Sequence, residues 1–272
     1  MKTRIIVAVI SVPLLFAVLF YLPPVATAVV VAAIAVIASF ELLRAVGKGT
    51  QKRLYVYAAA AAALIPVGVL LSPGDLVFRA VLILLISLLF GDAVVSYKPG
   101  NKITLTKLSA VIFGGALIPW MLSSIISLRL LDNGRFYVLI PIITAFITDG
   151  GAYFTGVFFG KRHPFPMVSP KKTAEGCVGG IITCVAAVVV YGVILRYAAS
   201  FDVNFYAMAL YGLAGGIITE LGDLAFSLVK REYGVKDYGN LLPGHGGMLD
   251  RFDSMVFAAP VIHLLVRLLP AF

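Results

Sequence analysis

Charge is scarce in this sequence of 272 residues. Only 13% of the residues are charged, against the ~25% usual for a soluble globular domain, which excludes an ordinary water-soluble fold. Cysteine is scarcer still. Cys177 and Cys184 are the two present, and they lie too far apart along one predicted helix for the ~7 Å Cα separation of a disulfide. Both are expected to be packing residues. The short alternating segments of a transmembrane β-barrel are missing, as are internal repeats and low-complexity tracts. What fills the space is apolar: 61% of residues are hydrophobic, with a mean hydropathy of +1.02. Uncharged runs recur at Ile5 to Leu22, Leu54 to Leu71, Leu108 to Leu128 and Gly176 to Leu195, each near the ~20 residues that cross a hydrocarbon core.

The expected fold class is therefore all-α, a polytopic integral membrane helical bundle of about nine transmembrane helices. They are placed at 3–22, 24–46, 54–71, 75–95, 107–128, 135–159, 174–198, 203–230 and 249–269. Breaks fall on turn-forming residues: Pro23-Pro24, Ser72-Pro73-Gly74-Asp75, Lys98-Pro99-Gly100-Asn101 and Asp132-Asn133-Gly134. Residues 1–272 read as a single membrane domain. The N-terminal stretch imitates a secretory signal, with Lys2, Arg4 and the triplet Ala26-Thr27-Ala28, but its apolar run is long and many spans follow, so it is read as a first span.

The net charge of +9 would raise the question of nucleic acid in a soluble protein. Topology accounts for it instead. With nine spans, all the lysines and arginines except Arg79, Arg129, Arg135, Arg196 and Arg267 fall on one face, and the positive-inside bias makes that face cytoplasmic. The N-terminus is then cytoplasmic and the C-terminus outside. No nucleic-acid partner is expected.

Several acids nevertheless lie within the apolar segments: Asp92, Asp149, Glu220, Asp223, Asp250 and Asp253. A carboxylate at the centre of a span costs ~2.5 to 3.5 kcal/mol, so something must compensate each one. Asp92, near a helix end, reads as the partner of an arginine or as a buried neutral acid. The others are spaced to converge: Glu220 with Asp223, and Asp250 with Asp253, each share a helix face at a separation of three. Such oxygen donors suit a divalent cation. Asp149 adds a carboxylate where Gly150-Gly151 are expected to loosen the sixth helix.

Two polar loops flank these acids. The later one carries Lys230, Arg231, Lys236, Asp237, His245, Gly246, Gly247 and Arg251; its glycines let backbone N–H groups approach an oxyanion, and His245 reads either as a donor to a phosphate oxygen or as a residue that orders the glycine-rich turn. The earlier one ends in Ser169-Pro-Lys171-Lys172-Thr173 at a predicted helix start, where free N–H groups also favour anions. An ion-coupled transporter also uses intramembrane acids, but gives no reason for a His-Gly-Gly turn between lysine-rich loops.

At these residues the chain resembles the phosphatidate cytidylyltransferases, or CDP-diacylglycerol synthases. The stretch Ser227 to Asp253 fits that family's signature through Lys230-Arg231, Lys236-Asp237, Gly239, Leu242-Pro243, His245-Gly246-Gly247 and Asp250-Arg251-Phe252-Asp253. The run from Asp149 through Ser169-Pro-Lys-Lys-Thr to Gly176 is also similar, with Thr148-Asp149-Gly150-Gly151 where the family often has Ser-Asp-Thr-Gly. Likeness covers roughly 140–260, the expected catalytic region; the helices of residues 1–130 resemble the family weakly, the first 100 residues in hydrophobic character alone. The resemblance implies transfer of the cytidylyl group of CTP to phosphatidate, with Mg²⁺ required and the number of cations open. It further implies metal contacts from Asp149, Glu220, Asp223, Asp250 and Asp253, and catalytic roles for Asp223, Asp250, Asp253, His245, Lys230 and Arg231. Substrate contacts would come from Ser169, Lys171, Lys172, Thr173, Lys236, Asp237, Gly246, Gly247 and Arg251. A homodimer in the cytoplasmic (inner) membrane, its active site facing the cytoplasm, follows from the same likeness.

Overall fold

In a computed structural model, the described residues are 13–47, 50–72, 74–98, 102–241 and 246–272. They form helices and no β-strand. The long helices are α1 (Pro24–Val46), α2 (Lys52–Leu71), α3 (Leu76–Val95), α4 (Leu105–Arg129), α5 (Gly134–Phe159), α6 (Ala174–Ala198), α7 (Phe205–Glu232) and α8 (Leu249–Leu268). The first seven are long and apolar enough to cross a membrane. α8 carries Asp250, Arg251, Asp253 and Arg267 within 20 residues, spread so that any 18-residue stretch of it holds at least three charges, whereas each of the other seven has such a stretch with two or fewer. Residues 13–20 are helical and residues 21 and 22 form a turn; residues 3–12 of the first predicted span, and the turn at Pro99-Gly100-Asn101, lie outside the described residues.

The other predicted boundaries agree with the helices to within two residues, because the breaks are chemical. Pro24 occupies the first turn of α1, where its missing N–H costs nothing. Asn133 adopts a left-handed φ of 56° between α4 and α5, a conformation asparagine tolerates.

The chain divides into two compact units, Met1–Asp132 with Tyr233–Phe252, and Asn133–Glu232 with Asp253–Phe272. In the first, the Ala58–Ala63 cluster does what its small side chains permit. Ala58, Ala61 and Ala62 are buried, and α4 meets them through a π-helical bulge at Phe113–Leu117. A Cβ on Gly115 would stand 2.8 Å from Ala58 Cα, so only glycine allows this approach. Leu43, Leu54, Ile65, Leu85, Leu89 and Leu108 complete the buried cluster. α3 buries only Leu85 and Leu89; its remaining leucines and phenylalanines suit lipid rather than water.

The second unit is held by a stripe of small residues. α6 buries Gly176, Gly180, Cys184, Val188 and Gly192, every fourth position, the pattern that lets membrane helices pack backbone to backbone. Gly151 of α5 lies against Thr183, and Gly212 of α7 against the Val185 backbone. Gly150-Gly151 were expected to loosen the helix, but α5 runs unbroken through them, because Gly151 serves close packing. Cys177 and Cys184 are free thiols, Cys184 buried. The chain end is fastened in the same unit, with the Tyr137 hydroxyl donating to the Phe272 carbonyl at 2.5 Å.

Candidate functional site

The second unit carries an acid–lysine cluster. Glu220 and Asp223, one turn apart on α7, both grip the ammonium of Lys172: Nζ lies 2.6 Å from Glu220 Oε2 and 2.7 Å from Asp223 Oδ2, and donates at 3.4 Å to the Glu220 carbonyl. Glu220 is buried and Asp223 half-buried. Burial works against the charged lysine, but the two carboxylates outweigh it and its pKa is pushed up to about 12. Lys172, expected to meet a substrate phosphate, is the counter-ion of two intramembrane acids, which makes their burial tolerable.

The loop that delivers Lys172 is itself braced. Thr173 caps α6, its side chain accepting from Gly176 N at 3.1 Å. Glu175 in the first turn accepts from Lys161 N at 3.0 Å and Arg162 N at 3.1 Å. Arg231, at the end of α7, donates from Nε to the Val168 carbonyl at 3.2 Å, so it ties this loop down from the side of the acids. Ser169 shapes the turn, accepting from Lys172 N at 3.1 Å. Lys171 remains exposed.

Asp149 on α5 lies within electrostatic reach of Asp223, Asp253, Lys172 and Glu220. Asp253 is buried, and its Oδ1 accepts from Ser254 N at 2.8 Å. The second unit therefore brings together four of the five expected metal-binding acids. Among the described residues, no three Asp, Glu, His or Cys side chains converge as a ready-made metal cage. The donor set still fits a hard divalent cation: every group is an oxygen. Glu220 Oε1 in addition is buried and takes no well-formed hydrogen bond among the described residues, with the weakly donating Cys177 thiol beside it.

The fifth acid, Asp250, belongs to the first unit and has a different employment. It is buried, and its Oδ2 accepts from Tyr238 N at 2.8 Å and Gly247 N at 3.0 Å. The Gly247 N–H, expected to face an oxyanion, therefore binds this carboxylate and folds the loop onto the start of α8. Gly246 sits at a left-handed φ of 88°, and a Cβ there would stand 3.0 Å from Asp250 Oδ2. Lys236, Asp237 and Arg251 are exposed, and Lys230 is buried in the second unit. His245 lies outside the described residues.

Glu41 was missed by the sequence reading. It sits in α1, 5% exposed, and its carboxylate accepts from Met248 N at 3.0 Å and Leu249 N at 2.8 Å. It thus caps α8 from another helix, placing negative charge where the helix dipole favours it. Gly239 and Gly247 close around it, since a Cβ on either would come within 2.5 Å of its oxygens. The available signal was an acid inside an apolar span. It was masked by Arg44 one turn later, which made Glu41 look like part of a helix end. Asp92, by contrast, pairs with Arg53 at 2.7 Å as its position suggested.

A sequence profile of the cytidylyltransferase family matches residues 2–269. The phosphatidate cytidylyltransferase of Bacillus subtilis is 37% identical over 169 residues, 62% of this chain and 61% of the relative. That of Staphylococcus haemolyticus is 38% identical over 135 residues, 50% of each chain. The alignments thus span about half to three fifths of these curated relatives.

Proposed function

This chain belongs to the cytidylyltransferase family, and from that premise we propose that it transfers the cytidylyl group of CTP to phosphatidate in the bilayer. The products are CDP-diacylglycerol, for phospholipid synthesis, and pyrophosphate. The phosphate oxygen of the lipid forms a bond to the α-phosphorus of CTP as the bond to the β-phosphate bridging oxygen breaks, and the electron pair leaves with pyrophosphate. The observation that carries the reading is the ion-paired trio of Lys172, Glu220 and Asp223 in the second unit, with Asp149 within electrostatic reach of all three and of Asp253. Acids are expensive in a membrane, and a polyanionic substrate with its counter-cation accounts for their retention.

The attacking group is already an anion, so no strong general base is required; the work is placement and neutralisation of charge. Asp149, Glu220, Asp223 and Asp253 would hold Mg²⁺, which when bound would neutralise triphosphate charge. Lys172 offsets the charge of Glu220 and Asp223 and holds both along one face of α7. Lys171, exposed on the same loop, is free to attract either anionic substrate. Asp250, Gly246 and Gly247 fix the later loop, leaving exposed Lys236 and Arg251 to attract phosphate. The proposed topology has nine spans, a cytoplasmic N-terminus and both polar loops on the cytoplasmic face of an inner membrane, where CTP is available; a homodimer completes the assembly.

The test is acceptor specificity. Purified protein incubated with CTP labelled at its α-phosphate should label diacyl phosphatidate. An isoprenoid phosphate labelled in preference to phosphatidate would replace this reading with another CTP-dependent enzyme. Solute uptake by proteoliposomes without lipid labelling would replace it with a transporter.

A further inference from the structure

The first unit holds a cavity of about 460 Å³ that the acid cluster does not use. Its size falls in the ~300 to 1,000 Å³ range of small-molecule sites. One wall is the α1 face carrying Val36, Ile37 and Phe40; Ala59 of α2 faces it, and its smallness helps keep the space open. At one end stand Arg44 and Tyr55, with Asn240 from the later loop. Val36 and Arg44 are eight residues apart, ~12 Å of helical rise, so the cavity runs from the polar end of α1 towards its apolar middle.

Its charge is unbalanced. Arg44 is exposed and makes no ion pair among the described residues. The nearest acid in sequence, Glu41, also lines the cavity, but both its oxygens are engaged by the Met248 and Leu249 N–H groups. An apolar trough in a membrane-embedded helix pair, closed at its polar end by a guanidinium without a carboxylate, complements an amphiphile of negative charge. The geometry points to a binding site for an anionic phospholipid of the bilayer: one acyl chain lies along Val36, Ile37 and Phe40, and its phosphate meets Arg44, with Tyr55 and Asn240 as further donors. A guanidinium suits this role because it pairs with phosphate through two parallel N–H donors. The site abuts the segment 239–241, so an occupant would touch the loop that Glu41 and Asp250 hold.

This inference goes beyond the cytidylyl-transfer reading, and its test contains no CTP, so either can fail alone. Full-length protein in detergent is titrated with phosphatidylglycerol, an anionic phosphodiester with no monoester to act as acceptor, or with zwitterionic phosphatidylcholine. Thermal unfolding and lipid retention in native mass spectrometry are read. Phosphatidylglycerol should raise the melting temperature by several degrees more than phosphatidylcholine. Arg44→Gln should remove that difference and weaken the apparent Kd for phosphatidylglycerol roughly tenfold or more, the loss of one charge-assisted contact. Ala59→Phe, which fills the trough, should reduce retention of both lipids. Equal stabilisation by the two headgroups, or a phosphatidylglycerol effect that survives both substitutions, overturns the assignment.

Discussion

Replacing Lys172 by methionine removes the cation between two carboxylates and keeps most of the side-chain volume. At 2.6 and 2.7 Å, each attraction is ~6 kcal/mol at an effective dielectric of about 20, most of it offset by the cost of burying the charges. The net penalty is set by what is left behind. Glu220 and Lys172 are 8% and 11% exposed at their side chains, whereas Asp223 is 33% exposed and better served by water. Breaking a buried pair by deleting one partner costs ~3 to 5 kcal/mol, or roughly 6 to 20 °C in melting temperature at ~2 to 4 °C per kcal/mol. Lys172→Arg should lose much less, and Glu220→Gln added to Lys172→Met should recover part of the loss. The pH dependence has a definite sign. The folded pKa of Lys172 is raised, to about 12 from 10.5, so its contribution is full below about 10.5 and is lost only as pH rises through 12. Circular dichroism melts in detergent should therefore show the same Lys172→Met penalty at pH 7 and pH 9, and a smaller one only above about 10.5. A Lys172→Met protein melting within 2 °C of the parent would refute the reasoning.

Glu41→Ala leaves the Met248 and Leu249 N–H groups without acceptors, at ~1 to 3 kcal/mol each. Glu41→Gln keeps an acceptor for one of them, so proteolysis near residue 246 should accelerate in the order parent, Gln, Ala. Asp253→Asn should abolish CTP-dependent lipid labelling with little change in melting temperature. Asp250→Asn should lower both, because Asp250 also holds Tyr238 N and Gly247 N; identical behaviour of the two variants would deny them different employment. Asp92→Asn should cost at most ~1 kcal/mol and leave labelling intact, since its partner Arg53 is 41% exposed.

The helices were legible because lipid enforces a simple grammar: long apolar runs broken by Pro, Gly and Asn allow few other readings. The convergence of Glu220 with Asp223 followed from helical spacing, and the need of Asp92 for compensation from charge cost, but not that its partner is Arg53. What they converge on was not legible. Lys172 sits in a loop, where spacing carries no direction, so its turn towards α7 depends on Thr173, Glu175 and Arg231 acting together. Glu41 escaped for a related reason. Its partners are backbone N–H groups more than 200 positions away, and a backbone donor leaves no side-chain signature. Asp250 read as the twin of Asp253 at three residues' spacing, but its position in the first turn of α8 points its carboxylate back at its own loop.

One measurement bears on the central claim more directly than the rest: the pyrophosphate and liponucleotide formed by purified protein given CTP, phosphatidate and Mg²⁺. We expect the two in equal amounts, dependent on phosphatidate, and both absent from Asp253→Asn. Pyrophosphate release that ignores phosphatidate, or a liponucleotide yield unchanged in Asp253→Asn, would contradict the account.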